Sequence, residues 1–600
     1  MWNRLNFGLN NQIMMKKTGI VCCLFFLTLI KLLGQTNESG LVDHMPQESI
    51  YMHLNTTLLF NGEQLQYKVY CLDNATKKLS DLSKVAHVYF VDSDNKLVFS
   101  QKLPLTNGTG QGDFFVPLSL PTGSYKLFCL TQWMRNGPPE EFFQVELQII
   151  NPYRPIPEPY ISRDTSSVDT INSKNGQSLA QRNQVAQQDN GIKLNLSLEK
   201  DKVGKRQRIG VVFSNFEDAE VHGNYSLSVR FCAPIEGLQN SLESFYRDFL
   251  NRPQYYPSSK TIVQIPELRG TLLSGRLVVK EGNTPVSGQR VALSLPGKNS
   301  FFQISSANNN GRFYFNVDRS FGNIPGYFQL LDSDWQNLGV EMDSETPNFG
   351  KTTFQDFKIP EKLSGFILER SIQNQIESSY AEAKQDTVLV GQAPVSIHKD
   401  LPYSYELDDY TRFGSIEETM VEVIDHVWLN KEAGKRFFQV RPEEGVPDSD
   451  FLPLVMVDGL FIKDHESFMD FSAKRIKSIH FSREKFFIGS MYFQGILKFE
   501  TIEGDFVDDY NTSEIHQVAL SGPEPSKSYY VQEYNSTASN AYLRIPDFRN
   551  QLLWNPSLNL QKEQTIAFYT SDVPGTYEIV LKGFTSEGKP VEIKKYFDVF

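Results

Sequence analysis

LPLVMVDGLFIKDHESFMDFSAKRIKSIHFSREKFFIGSMYFQGILKF, residues Leu452–Phe499, holds an apolar run, Val455-Met456-Val457, that stops at Asp458-Gly459. An Asp can bond the backbone just downstream of itself and a Gly accepts the left-handed conformation, so the pair reverses a strand sharply. Ile476-Lys477-Ser478-Ile479 begins a second strand, and Tyr492-Phe493-Gln494-Gly495-Ile496-Leu497-Lys498-Phe499 forms a third. Gly489, Gly495 and Gly504 supply turns or close approaches between them. Upstream, Ser415 with Glu418 three residues on is a capping box that opens an amphipathic helix over 415–426. The helix, a strand around Phe437–Val440 and the quoted stretch make a small α/β unit over 405–510.

This stretch resembles the plug of TonB-dependent outer-membrane transporters, in the apolar strand ending Val455-Met456-Val457-Asp458-Gly459, the Ile476–Ile479 strand start and the Tyr492–Phe499 strand. It departs from that pattern at Phe486-Phe487-Ile488, where plugs carry small residues and paired glycines. Only about a hundred residues follow, and a transmembrane strand needs roughly 9–11, so no large transporter barrel is expected. Two readings stand: a plug-like unit without its pore, and a plain α/β module whose Asp-Gly is a turn. The residues the resemblance singles out, Asp458, Gly459, Gly489 and Gly495, are structural turn positions on either.

The chain has 600 residues, too many for one hydrophobic core. At about 100–200 residues per domain it divides into about four or five. Aromatic residues make up 12%, with 44 Phe and 26 Tyr, a composition that favours strands packed face to face. The expected fold class is mainly β, a string of immunoglobulin- or macroglobulin-like sandwiches with one small α/β plug-like domain. A net charge of −12 and the lack of a basic cluster longer than Lys474-Arg475 exclude a nucleic-acid partner, whose phosphates require a basic face.

Lys16-Lys17, an apolar run over 19–30 and Leu32-Leu33-Gly34-Gln35 have the order of a secretory signal, so residues 1–35 are read as a signal peptide and the chain as exported. Cleavage near Gly34 is the first reading. A lipid anchor on Cys22 or Cys23 is the second, and Val21 fits a lipoprotein box poorly. Beyond them stand Cys71, Cys129 and Cys232, too few for a disulfide framework. Cys71 and Cys129 lie in strand-like runs and are either bridged or two buried thiols.

Short alternating runs over 64–70, 85–91, 97–101, 114–118, 125–130 and 142–150 predict a sandwich over 47–151. Its Tyr51-Met52-His53-Leu54, Phe60-Asn61-Gly62-Glu63, Leu120–Tyr125 and Trp133–Asn136 resemble the macroglobulin-like domain that opens many large envelope proteins of Bacteroidota. Residues 152–191, rich in Pro and then in Ser, Asn and Gln, read as a flexible linker. A second sandwich is expected over 192–266, interrupted by a helix from the period of Leu238, Leu242, Phe245 and Phe249. Residues 267–358 resemble the carboxypeptidase regulatory-like sandwich, from Leu273–Val279 through Pro285-Val286-Ser287-Gly288 to Asn310-Gly311 and Phe313–Phe315, with Asn-Gly read as a tight hairpin turn. A helical linker over 359–404 leads to the α/β unit. An immunoglobulin-like sandwich over 541–600 closes the chain. Gly-x-Tyr recurs at Gly123, Gly223 and Gly575, predicting a tyrosine corner in each of three sandwiches.

The sequence carries no His-Glu-x-x-His, no Gly-x-Ser-x-Gly and no phosphate loop, and neither Cys129 nor Cys232 begins a macroglobulin thioester. His53 with Glu63 and Asp464-His465-Glu466 are the nearest polar clusters, and adjacent ligands with no further partners suit a solvated loop better than a metal. The acidic pairs Asp408-Asp409, Asp508-Asp509 and Glu443-Glu444 point opposite ways on a strand, unlike a glycosidase pair. No catalytic residue, metal or cofactor is therefore expected. The chain reads as a non-enzymatic scaffold or interaction protein of the periplasm or outer membrane, with peripheral or no direct membrane contact. Its expected partner is an envelope protein, an outer-membrane barrel being one form of it. The alternative is a glycan- or peptide-binding accessory of nutrient uptake, and a hydrolase with an unfamiliar site ranks last.

Overall fold

A computed structural model describes residues 46–163, 183, 194–214, 221–235, 241–253, 263–297, 299–333, 335–389, 401–432, 434–447, 450–510, 512–534, 544–560 and 562–600. The expected signal peptide and most of the expected linker lie outside these residues. The fold is mainly β, built as sandwiches around one α/β unit.

In the first sandwich, Glu48–Leu54, Gln64–Asp73 and Thr109–Phe115 form a three-stranded sheet. It faces a five-stranded one of Leu58–Phe60, Phe143–Ile150, Gly123–Leu130, Val85–Val91 and Leu97–Pro104. The two-residue period turns Ile50, Met52, Val69 and Cys71 inward, against Val88, Phe90, Leu127 and Cys129. Cys71 and Cys129 are free, buried thiols, and burial pushes both up. Val85–Val91 is buried along its whole length because its outward face is covered too. There Phe349 stacks on Phe128 and meets Tyr89 edge-on, and Gln355 N donates to Glu146. The segment after 342 thus straps the first sandwich.

The sandwiches expected separately over 192–266 and 541–600 are one body. Arg208–Ser214 pairs with Gln564–Tyr569, and Gly223–Phe231 lies between Gln551–Leu560 and Gly575–Thr585. Their apolar faces share one core, with Leu227, Val229, Leu553, Phe568, Ile579 and Phe597. Alternation tells which face of a strand is buried and is silent on which strand lies beside it, so each half alone looked like a sandwich. The helix, Leu242–Leu250, is capped by Ser241 and leaves this core: Leu242 and Phe249 pack into the first sandwich.

The same nesting recurs inside the split body. Thr271–Val279, Arg312–Val317 and Leu338–Met342 form one sheet of a middle sandwich, and Phe301–Ser306, Arg290–Leu295, Asn323–Leu330 and Ile515–Ser521 the other. The last strand comes from beyond the α/β unit, which is therefore an insertion into this sandwich. Asn310-Gly311 is not the hairpin expected, since the strands on either side lie in different sheets; Gly311, at φ 75°, turns an arch between them. Within the expected helical linker, a helix runs Ser364–Ser379.

All three predicted tyrosine corners form. Tyr125, Tyr225 and Tyr577 each donate to the carbonyl four residues back, of Pro121, Val221 and Val573, at 2.9, 2.6 and 2.9 Å. Two of them, Tyr225 and Tyr577, serve the one split sandwich, so the motif marks two bodies rather than three.

If the split is right, residues 541–600 produced alone should lack the dispersed amide spectrum of a folded domain and gain it when residues 194–231 are supplied. A dispersed spectrum from the isolated segment would restore the independent C-terminal sandwich.

Candidate interaction site

The α/β unit carries a five-stranded sheet in the order Tyr403–Glu406, Ile476–Ile488, Met491–Thr501, Leu454–Val457, Leu460–Phe461. Its helix Ile416–Glu422 starts as the sequence predicts, Ser415 Oγ accepting from Glu418 N. The Glu418 carboxylate accepts from Gly414 N rather than from Ser415 N.

Asp458 and Gly459 have φ of 48° and 88° and join Leu454–Val457 to Leu460–Phe461 with Val457 opposite Leu460. Positive φ at both positions is what a two-residue hairpin needs, and Asp-Gly meets it. The Asp458 carboxylate reaches farther than its own turn. It accepts from Thr501 N at 2.9 Å, Thr501 Oγ1 at 2.6 Å and Phe506 N at 3.2 Å, tying the turn to the end of Met491–Thr501 and to the helix Phe506–Asp509.

The glycines mark contacts with neighbouring segments. A methyl group at Gly459 would strike the Ser300 side chain, and one at Gly489 the Ile304 carbonyl, both in the middle sandwich. Gly495 lies beside the irregularity between Ser482 and Lys485, where a methyl would come within 2.8 Å of Val440. The structure thus places Asp458 and Gly459 together, and Gly489 and Gly495 at two separate packing contacts.

Both faces of this sheet are covered. Val455, Val457, Phe481 and Phe499 face the unit's own helices, with Ile416, Met420 and Phe468. Leu454, Met456, Ile488 and Ile496 face Ala292, Phe302 and Ile304 of the middle sandwich. Gln329 Nε2 donates to Phe461 O at 2.7 Å and Phe461 N to Ser294 Oγ at 3.2 Å across that boundary. The unit is seated on its own chain.

The polar clusters singled out in the sequence come apart. Asp464, His465 and Glu466 diverge: Asp464 to Lys435, His465 Nδ1 to Phe438 N at 3.2 Å, Glu466 to Arg436 at 2.5 Å. Burial holds the His465 imidazole down at about 4. Asp408 pairs with Arg412, Asp509 with Arg475 and Glu443 with Arg483, each within its own neighbourhood. His53 and Glu63 go to different partners. His53 Nδ1 meets Ser226 Oγ at 2.6 Å, and Tyr70 shares that hydroxyl at 2.9 Å, where the first and split sandwiches press their polar faces together. Burial, then Lys582 and Lys594, push the His53 imidazole well below its ordinary value. Among the described residues no group of three or more His, Cys, Asp or Glu side chains is arranged to hold a metal ion.

Sequence reasoning missed the charge cluster that binds the bodies. Glu63, beside the Asn61-Gly62 turn, accepts from Arg370 Nε at 2.7 Å and Nη2 at 2.8 Å, from Arg230 Nη2 at 3.3 Å and from Asn374 Nδ2 at 3.2 Å. One carboxylate therefore joins the first sandwich, the split sandwich and the helix Ser364–Ser379. Burial alone would raise the Glu63 carboxyl, yet Arg370 and Arg230 outweigh it and hold it at about 2. Burial lowers Arg230 to about 10. The signals present were Glu63 after a turn and Arg230 at an alternating strand position, neither of which identifies a partner.

No family model matches this chain, and no curated protein matches it. Among solved structures, the chain is similar to alpha-2-macroglobulin of Salmonella reacted with methylamine, at 9% identity and TM-score 0.22, over 92% of this chain and 39% of that one. It is similar to the native conformation of E. coli alpha-2-macroglobulin at 11% identity and TM-score 0.22, over 92% and 40%. A Listeria innocua beta-glucosidase in complex with laminaribiose matches at 17% identity and TM-score 0.13, over 18% and 16%. The chain spans about two fifths of the macroglobulins it matches. Likeness this slight carries no argument about activity.

Two substitutions probe these contacts. Glu63→Gln should remove about 3 kcal/mol or more at pH 7, because two buried guanidiniums lose their counter-charge. A carboxyl held at about 2 from an ordinary 4.5 stabilises above pH 4.5 and loses that contribution as pH falls from there through 2. That contribution is on the order of 3 kcal/mol, so the acid limb of the stability profile should flatten in Glu63→Gln; an unchanged limb counts against the cluster. Gly489→Val should cost about 2 kcal/mol more than Gly504→Val in thermal unfolding. Both glycines have positive φ, and only Gly489 is pressed against another segment.

Proposed function

We propose that this chain is a non-enzymatic scaffold of the bacterial cell envelope, which carries its α/β unit on a braced set of sandwiches and presents it to an envelope protein. The observation that carries the reading is the seating of that unit. Its sheet is cored on the middle sandwich and its turn glycines abut Ser300 and Ile304, so it is held as a fixed surface. Polar contacts between distant segments serve the same bracing. Glu63 joins three bodies, His87 meets Glu267 at 2.7 Å and Lys102 meets Glu345 at 2.7 Å, each pair tying the first sandwich to segments far along the chain. A buried ion cluster such as that at Glu63 specifies which surfaces meet more than it adds stability.

Export through the N-terminal signal, a periplasmic or outer-membrane location and an outer-membrane barrel or assembly as the partner belong to the same proposal. Among the described residues no helix is long and apolar enough to cross a membrane. A photo-crosslinking residue at Tyr492 of the full chain, activated in intact cells, should give an adduct in the envelope fraction that contains an outer-membrane protein. The same residue at Asn95, on the first sandwich, should not. Adducts with soluble periplasmic proteins alone would sink the docking reading.

A further inference from the structure

The α/β unit buries both faces of its sheet, yet the tip of its long hairpin leaves a row of rings in solvent. Phe487 is 61% exposed, Tyr492 57% and Phe451 48%. Phe487 and Tyr492 are directly opposite in the pairing of Ile476–Ile488 with Met491–Thr501, with ring centroids 4.8 Å apart. Phe451 also stacks on Tyr492, at 5.7 Å, and Leu452 O, accepting from Gln494 N, fixes that segment to the hairpin. The alternate residues Phe486 and Phe493 turn inward to the core shared with the middle sandwich. The outward rings are therefore held in place from beneath.

The chain leading to this ladder is acidic. Glu443, Glu444 and Asp450 are exposed on it. Of the nearby cations, Arg483 is buried, donates to the carbonyls of Arg441 and Pro442 and pairs with Glu443 at 3.6 Å, and the exposed Arg441 lies over the Trp428 ring. Lys485, two residues before Phe487, is exposed, as is Glu484 beside it. With Glu443 paired to Arg483, the exposed Glu444, Asp450 and Glu484 outnumber Arg441 and Lys485 here by one. Stacked aromatic faces carry negative potential as well, which attracts guanidinium and ammonium groups. Contiguous exposed apolar surface rimmed by polar residues marks an interaction site.

We propose that the Phe451–Tyr492–Phe487 ladder, with the exposed carboxylates of Glu444 and Asp450 on the chain that leads into it, is the docking surface for a basic, apolar-containing extended segment of a protein partner. The rings take the aliphatic stems and side chains of that segment and the carboxylates take its charges. The acidic rim opposes an anionic lipid surface, which sets a protein segment ahead of a membrane. This inference rests on the reading of the α/β unit as a docking unit and names the face that docks.

The test uses the purified full chain and short fluorescent peptides that alternate lysine with valine or glutamate with valine, followed by anisotropy. The lysine peptide should bind, and the glutamate peptide should bind at least about tenfold more weakly. Phe487→Ser with Tyr492→Ser should weaken the lysine peptide about tenfold or more, with an unchanged circular dichroism spectrum, as both side chains lie outside the core. Glu444→Gln with Asp450→Asn should weaken it at low salt and much less at high salt. Equal binding of the two peptides, or no loss on removing the rings, overturns the proposal. Ring-dependent binding of cellohexaose or of anionic vesicles in place of the lysine peptide also overturns it. A lysine peptide that binds while the Tyr492 crosslink finds no outer-membrane protein leaves the surface standing and removes the envelope docking reading. A Tyr492 crosslink that survives Phe487→Ser with Phe451→Ser does the reverse.

Discussion

Everything between residues 232 and 550 hangs on one pairing: Gly223–Phe231 lying between Gln551–Leu560 and Gly575–Thr585. Phe231 N donates to Asn550 O at 2.8 Å, so the chain leaves this sandwich and re-enters it at neighbouring points. A closure of that length has a substantial entropic cost, which grows only slowly with each further residue enclosed. The shared core of Leu227, Val229, Leu553, Ile579 and Leu581 offsets it, and each half lacks the apolar partner it needs without the other. The middle sandwich repeats the arrangement one level in, closing with Ile515–Ser521 around the α/β unit.

Nesting by itself leaves bodies joined at their necks, and the first sandwich removes that freedom. Its three-stranded face meets the split sandwich through Tyr51, His53 and Tyr70 against Ser226 and Lys582. Its five-stranded face lies under the strap that carries Phe349. Glu63 holds the corner where two sandwiches and a helix converge. These surfaces are polar and aromatic rather than aliphatic, so the groups on them demand specific partners. The fully buried Ser226 hydroxyl, bonded to His53, Tyr70 and Lys582, and the Glu63 carboxylate, bonded to Arg370, Arg230, Asn374 and Phe60, show that demand met.

Against this frame the α/β unit is a passenger with a fixed orientation. Asp458-Gly459 is a tight turn whose carboxylate clasps Thr501 and Phe506, and whose glycine lets the turn lie against Ser300. The resemblance to a transporter plug drew notice to the strands, while the rings that face outward are Phe487, in the stretch where the resemblance fails, and Tyr492, at the start of a strand that carries it. A departure from a structural pattern at an exposed hairpin tip is where an interaction surface is free to differ, because packing does not constrain it.

The local content of the fold was legible. Period-2 runs marked the strands of the first and middle sandwiches, the Ser415 cap started its helix, Asp458-Gly459 turned where its φ preferences demand, and all three Gly-x-Tyr steps became tyrosine corners. These features depend on a few consecutive residues and their backbone preferences, which a sequence states directly. Strand partnership was not legible. The halves at 194–231 and 551–599 each present an apolar face, and the sequence leaves open whether that face meets its neighbour or a segment hundreds of residues away. The Glu63 cluster was hidden for the same reason, since a carboxylate and two guanidiniums become a clamp only when three distant segments converge. What the sequence determined by itself was the kind of element each segment forms. Which segments meet, and hence which charges are buried and which rings stay in water, was decided by the tertiary structure, because long-range packing is satisfied by shape and area rather than by order along the chain.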